Sequence, residues 1–176
     1  MSRSLIEKAF EKAVWRIARY KNEEDRRERK IYSPKEALKL FGVPQFTEIK
    51  GNCLLNEGIN ELWTILCSSG GTKFDNANAY LGVGNSDTAE DATQTGLQGA
   101  SKLYKGMESG YPTYGSDQKA TWKASFGSGE ANFAWKEFTV ANGNSDTAKN
   151  LCRKVSDQGT KVSGQVWELT LSITLS

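Results

Sequence analysis

The sequence predicts a mainly β protein: an antiparallel β-sandwich of jelly-roll-like type, with an N-terminal α-helical arm and one helix packed on the sandwich. Three observations carry this reading. Apolar residues recur at helical spacing up to about residue 70 and then at every second position. Short alternating segments are separated by Gly-, Ser- and Asn-rich stretches, as in sandwiches. The composition also shifts near Phe41–Lys50: the first fifty residues hold thirteen Lys and Arg against eight Asp and Glu, and the remainder holds ten against thirteen. The expected organisation is an arm over residues 1–45 and a sandwich over residues 46–176, within the size of one core-bearing domain.

The arm opens on Ser4 and Glu7, which have capping-box spacing. Ile6, Phe10, Ala13, Ile17 and Tyr20 then recur at steps of four and three. This narrow seam suits another helix or a partner's groove, and marks a candidate attachment surface. KNEEDRRERK (Lys21–Lys30) mixes five basic with four acidic residues and reads as a solvated helical surface or a mobile linker. A phosphate- or capsid-contacting role, nucleic acid included, is the lesser alternative, because the signs are so evenly mixed. A second short helix is fully punctuated: Ser33 as N-cap, Pro34 at the first position, Glu36 at the third, and Gly42 and Pro44 beyond the end. A third helix is expected over Asn52–Gly71, with Leu55, Ile59, Leu62, Trp63 and Leu66 on one stripe.

Beyond it the period is two. KATWKASF (Lys119–Phe126) sets Ala120, Trp122, Ala124 and Phe126 on one face, and WELTLSITLS (Trp167–Ser176) alternates most cleanly. Ala79–Val83, Lys102–Met107, Lys136–Ala141 and Leu151–Val155 are shorter strands. One wet face per strand fits antiparallel pairing. Tryptophans 63, 122, 135 and 167 occupy stripe or strand positions, where core is expected.

The chain has no histidine, which removes the commonest general base and neutral metal ligand, and with them Ser–His, Cys–His and His–zinc chemistry. Three cysteines, Cys53, Cys67 and Cys152, form no C-x-x-C pair and read as reduced thiols. GSGEANF (Gly127–Phe133) and GVGNSD (Gly82–Asp87) do not complete a dinucleotide fingerprint. Oxygen-rich stretches such as FDNANAY (Phe74–Tyr80) lack the spacing of a calcium loop and have turn chemistry instead. No catalytic set, cofactor or metal is expected, and no apolar run is long enough for a membrane span. Tyr111 and Tyr114, in YPTYG, are candidate surface-contact aromatics for a sugar or a protein. GNSDTA occurs twice, at Gly84–Ala89 and Gly143–Ala148, each time after a short apolar strand. The expectation is one turn chemistry at two strand exits, at a common rim, with Asp87 and Glu90 capping a short helix.

An ordered series of motifs carries a resemblance. NCLLNEGINELW (Asn52–Trp63), FDNANAYLGVGNSDTA (Phe74–Ala89) and ATQTGLQG (Ala92–Gly99) are followed by YKGM, ASFGSGEANFAWKE, LCRKV and the closing GTKVSGQVWELTLSITL (Gly159–Leu175). From Asn52 onward the chain resembles small structural proteins of tailed bacteriophages. The resemblance implies a virion component made in the host bacterial cytoplasm: a β-sandwich used for head decoration, or in related forms on tails, connectors, fibres and adsorption modules. It also implies capsid or tail subunits as partners, homo-oligomers that are often trimers, and no enzyme activity.

Overall fold

The computed structural model describes residues 12–175. Among these residues ten strands form two antiparallel five-stranded sheets that pack face to face. The first sheet runs β2 (Phe46–Lys50), β1 (Val14–Tyr20), β10 (Val166–Thr174), β7 (Lys119–Phe126), β6 (Thr113–Ser116). The second runs β3 (Cys53–Leu54), β9 (Asn150–Val155), β8 (Glu137–Ala141), β4 (Tyr80–Gly84), β5 (Lys102–Gly106). The described residues also form three helices: α1 (Glu23–Arg27), α2 (Pro34–Phe41) and α3 (Asn56–Cys67). All six strands expected from alternation are present, within one or two residues at their ends.

The helical arm requires correction. Residues 14–20 are a strand inside the first sheet, paired on one side with β2 and on the other with β10, where Val14 faces Ser172 and Tyr20 faces Val166. Ala13, Ile17 and Tyr20 are therefore buried in the body of the protein and offer no attachment seam; Ile6 and Phe10 lie outside the described residues. The cause is Arg19. In VWRIARY the inward positions are Trp15, Ile17 and Arg19, so a charged residue falls where alternation demands an apolar one. Its guanidinium donates to Pro44 O at 2.9 Å, Thr47 Oγ1 at 3.1 Å and Gln158 O at 3.0 Å, and lies 4.6 Å from the Trp167 ring centroid. Burial lowers its pKa to about 10. Backbone carbonyls and an aromatic face thus replace the water this cation gives up.

The core lies between the sheets. Trp15, Ile17, Trp122, Phe126 and Leu169 come from the first sheet, and Leu81, Val83, Phe138 and Val140 from the second. Trp135 sits among them, its ring edge-on to Phe126 at 4.8 Å and to Trp167 at 4.9 Å. Such aromatic pairs add to simple area burial. α2 is capped as its sequence indicates: Ser33 Oγ accepts from Glu36 N, Glu36 Oε2 accepts from Ser33 N, and Gly42 ends the helix at φ 73°. α3 starts later than expected, because Cys53–Leu54 first pairs with β9. Cys53 and Cys67 therefore do not share a helix, and all three cysteines are free thiols.

Candidate functional site

Three surfaces are built well enough to meet a partner. The first is α3. Glu57 Oε1 accepts from Asn150 N at 3.0 Å, and Glu61 Oε1 from Asn142 Nδ2 at 3.0 Å, so the helix is fixed across the rim of the second sheet. Gly58 makes this approach possible: a Cβ there would stand 2.3 Å from Leu151 Cα. With that face spent on the sandwich, Ile59, Leu62 and Ile65 pack on the core. Trp63 and Leu66 do not, being 55% and 74% exposed, which corrects the expectation that Trp63 is core. A groove of about 690 Å³ runs beside the helix from Leu62 to Leu151, Trp122, Ile173 and Leu175. The sequence stripe pointed to these residues but merged two helix faces, one turned inward and one turned out.

The second surface surrounds α2, where Ile31, Leu38 and Phe46 are exposed beside Pro34 and Pro44 and line a groove of about 260 Å³. The third is the outer face of the first sheet, a polar groove of about 640 Å³ lined by Arg16, Lys123, Thr121, Thr170 and Ser172, with Tyr111 among its walls. An ion-pair network closes one end of it: Arg26 reaches Glu168 at 3.1 Å and also pairs with Glu108, while Lys123 meets both carboxylates at 3.3 Å. These charges face one another, so they fix α1 against the sheet. Tyr111 is half-buried, and Asn76 donates to its backbone carbonyl. Tyr114 is 77% exposed on edge strand β6 and does not line this groove, so the two tyrosines form no common platform there.

The GNSDTA copies resolve as structural turns. In the first, Ser86 Oγ accepts from Thr88 N and lies 2.9 Å from Thr88 Oγ1; in the second, Ser145 Oγ lies 2.9 Å from Thr147 Oγ1. Each Asp holds a lysine, Asp87 with Lys136 and Asp146 with Lys102. One turn chemistry is therefore used twice, as expected. The rims are opposite, however, because β4 and β8 are antiparallel and Gly84, at the end of β4, faces Glu137 at the start of β8. No helix follows Asp87: Glu90 instead accepts from Val155 N and pairs with Lys154.

Loop 85–101 lies over the second sheet, pinned by a fully buried ion pair that alternation did not reveal. Glu137 Oε2 meets Arg153 Nε at 2.8 Å and Gln98 N at 3.0 Å, and Glu137 Oε1 accepts from Gly99 N at 2.6 Å. Arg153 Nη1 donates to Thr88 O and Gln94 Oε1, both at 2.9 Å. Gly84 and Gly99 leave the space this carboxylate fills, since a Cβ at either would fall within 3 Å of it. The carboxylate, and Nε and Nη1 of the guanidinium, are engaged by each other and by this loop, while Nη2 is buried without a hydrogen-bond partner among the described residues, so the pair makes a structural use of charge. Among the described residues no group of three or more His, Cys, Asp or Glu side chains is placed to hold a metal ion.

No family model, curated protein or solved structure matches this chain.

Proposed function

We propose that this chain is a non-enzymatic structural protein of a tailed-phage virion, an auxiliary or decoration subunit of the capsid held to a neighbouring subunit through α3. The observation that carries the proposal is the exposed pair Trp63 and Leu66, on a helix whose Leu62 lines the Leu175 groove and which is otherwise locked to the sandwich. A monomeric protein has little reason to hold a tryptophan and a leucine in water at adjoining turns of one helix. Burying each on a partner contributes on the order of 1.5–3 kcal/mol before ordering costs. That is modest for one site, but repetition over an oligomer or a particle lattice converts it into lasting attachment. The series of phage-like motifs from Asn52 to Leu175 supports the virion setting. Mass spectrometry of purified particles tests it: the chain is expected at stoichiometric level, and its absence from particles that carry the rest of their structural proteins contradicts the proposal.

A second reading, an adsorption module that binds a glycan, is favoured by one observation: the hydroxyl-lined outer groove with Tyr111 in its wall. It expects glycan or cell binding that falls in Tyr111→Ala. Unchanged adsorption by particles carrying that variant counts against it.

A further inference from the structure

The loop GSGEANF, to which the sequence assigns no role, surrounds the most unusual side chain in the protein. Lys161 is fully buried. Among the described residues no carboxylate lies within ion-pair distance of its amine; the electrostatic influence of Glu130 acts from farther away, and Glu130 is engaged by Lys105 at 2.6 Å and by Gly127 N at 2.8 Å. A buried, unpaired ammonium is costly, and burial lowers the Lys161 pKa to about 8. Two acceptors face the amine, Gly127 O at 2.7 Å and Asn132 Oδ1 at 2.8 Å. Two is the number a neutral amine satisfies with its two N–H bonds; an ammonium has a third.

The carboxamide opposite is equally well placed. Asn132 Nδ2 donates to Ser128 O at 3.1 Å, so both polar atoms of the amide are held, with the lysine amine against its oxygen and one bond away from its carbon. The turn that does this is strained: Ala131, buried just before Asn132, has φ 50°, a region that non-glycine residues rarely enter. The backbone locks the two segments in register, with Lys161 N donating to Phe133 O at 3.1 Å and a bridge joining Ala134 to Thr160. Asn132 itself is exposed, so a small leaving group has a path to solvent.

We infer that Lys161 and Asn132 form an intramolecular isopeptide bond. The neutral Nζ attacks Asn132 Cγ, a new C–N bond forms, and the Cγ–Nδ2 bond breaks. The proton shed by Nζ leaves with Nδ2 as ammonia. The product is a secondary amide, with no change of oxidation state and no co-reactant. Proximity is the main catalyst: the amine is held in contact with the carboxamide without its hydration shell. The link would close the chain between residues 132 and 161, joining the Gly127–Phe133 loop to the segment that leads into β10.

Mass spectrometry decides the matter. The intact wild-type protein, allowing for the initiator methionine, is expected about 17 Da below its sequence mass. Digestion with trypsin is expected to yield peptide Ala124–Lys136 joined to the peptide that carries Lys161. Lys161→Met and Asn132→Ala are both expected at their own sequence masses. Asn132→Ala alters an exposed side chain, so it keeps the comparison available even if Lys161→Met does not fold. A wild type at its full sequence mass overturns the inference. So does a 17 Da deficit that persists in either variant, because a succinimide at Asn142–Gly143 loses ammonia without any lysine.

Discussion

Trp15 separates the strand reading of the N-terminal region from a helical one. In a helical seam through Ile6, Phe10, Ala13, Ile17 and Tyr20, Trp15 would point away from the contact and its loss would be mild. In the sandwich it is fully buried, stands opposite Leu171 of β10 and Ile49 of β2, and has its ring 5.9 Å from that of Phe138. Among the described residues its indole nitrogen has no hydrogen-bond partner, so Trp15→Ala removes packing without breaking a polar contact there. The expected cost is about 3–5 kcal/mol, the usual range for Trp or Phe truncated to Ala in a core. For a domain of this size each kcal/mol moves the melting point by about 2–4 °C, so the shift is roughly 6–20 °C. Arg16→Ala is the control. Arg16 is exposed and pairs with Glu48 at 3.0 Å across two well-solvated side chains, and its loss is expected to cost less than about 1 kcal/mol. Urea and thermal unfolding followed by circular dichroism measure both. Equal, small effects for the two variants would refute the placement of β1 in the core.

Gly58→Ala is expected to destabilise by about 3 kcal/mol or more, because the added Cβ meets the Leu151 backbone, which cannot swing aside. Gly129→Ala, which meets nothing within 4 Å, is expected to stay near wild type in the same unfolding experiment. Glu137→Gln leaves Arg153 buried without its counter-charge and is expected to cost about 3–5 kcal/mol; hydrogen exchange should show loop 85–101 opening first. The Glu36 carboxyl is held below its ordinary pKa by hydrogen bonds from Ser33. Its folded-state value is lowered, so the capping box contributes fully above the ordinary carboxylate range and is lost as pH falls through the lowered value. NMR titration is expected to show Glu36 moving back up in Ser33→Ala, and an unmoved titration would contradict the capping geometry.

Most of the sandwich was legible because its strands obey simple alternation. Lys119–Phe126 and Val166–Thr174 bury every second residue, and the Ser33–Gly42 helix carries both of its caps in the sequence. Part of what was hidden has one physical cause: charged residues that the fold buries among hydrogen-bond partners distant in sequence. Arg19 disguised β1, and Glu137 and Arg153 gave no sign that β8 and β9 hold a loop on their outer side. β6 was missed because a four-residue edge strand with no buried side chain has no pattern to read. On α3 the stripe was visible, but its division into an inward and an outward face depends on Gly58 and on where the sandwich lies. Lys161 and Asn132 are 29 positions apart in the sequence, and only the fold brings them together.

Electron cryomicroscopy of purified particles, comparing wild type with Trp63→Ser/Leu66→Ser, tests the virion account most directly. The two residues are exposed, so the double variant is expected to fold as wild type does, while its density disappears from the particle surface. In the wild-type map α3 is expected against a neighbouring subunit. A map in which the protein is bound with α3 facing solvent, or in which the double variant binds at full occupancy, would contradict the account.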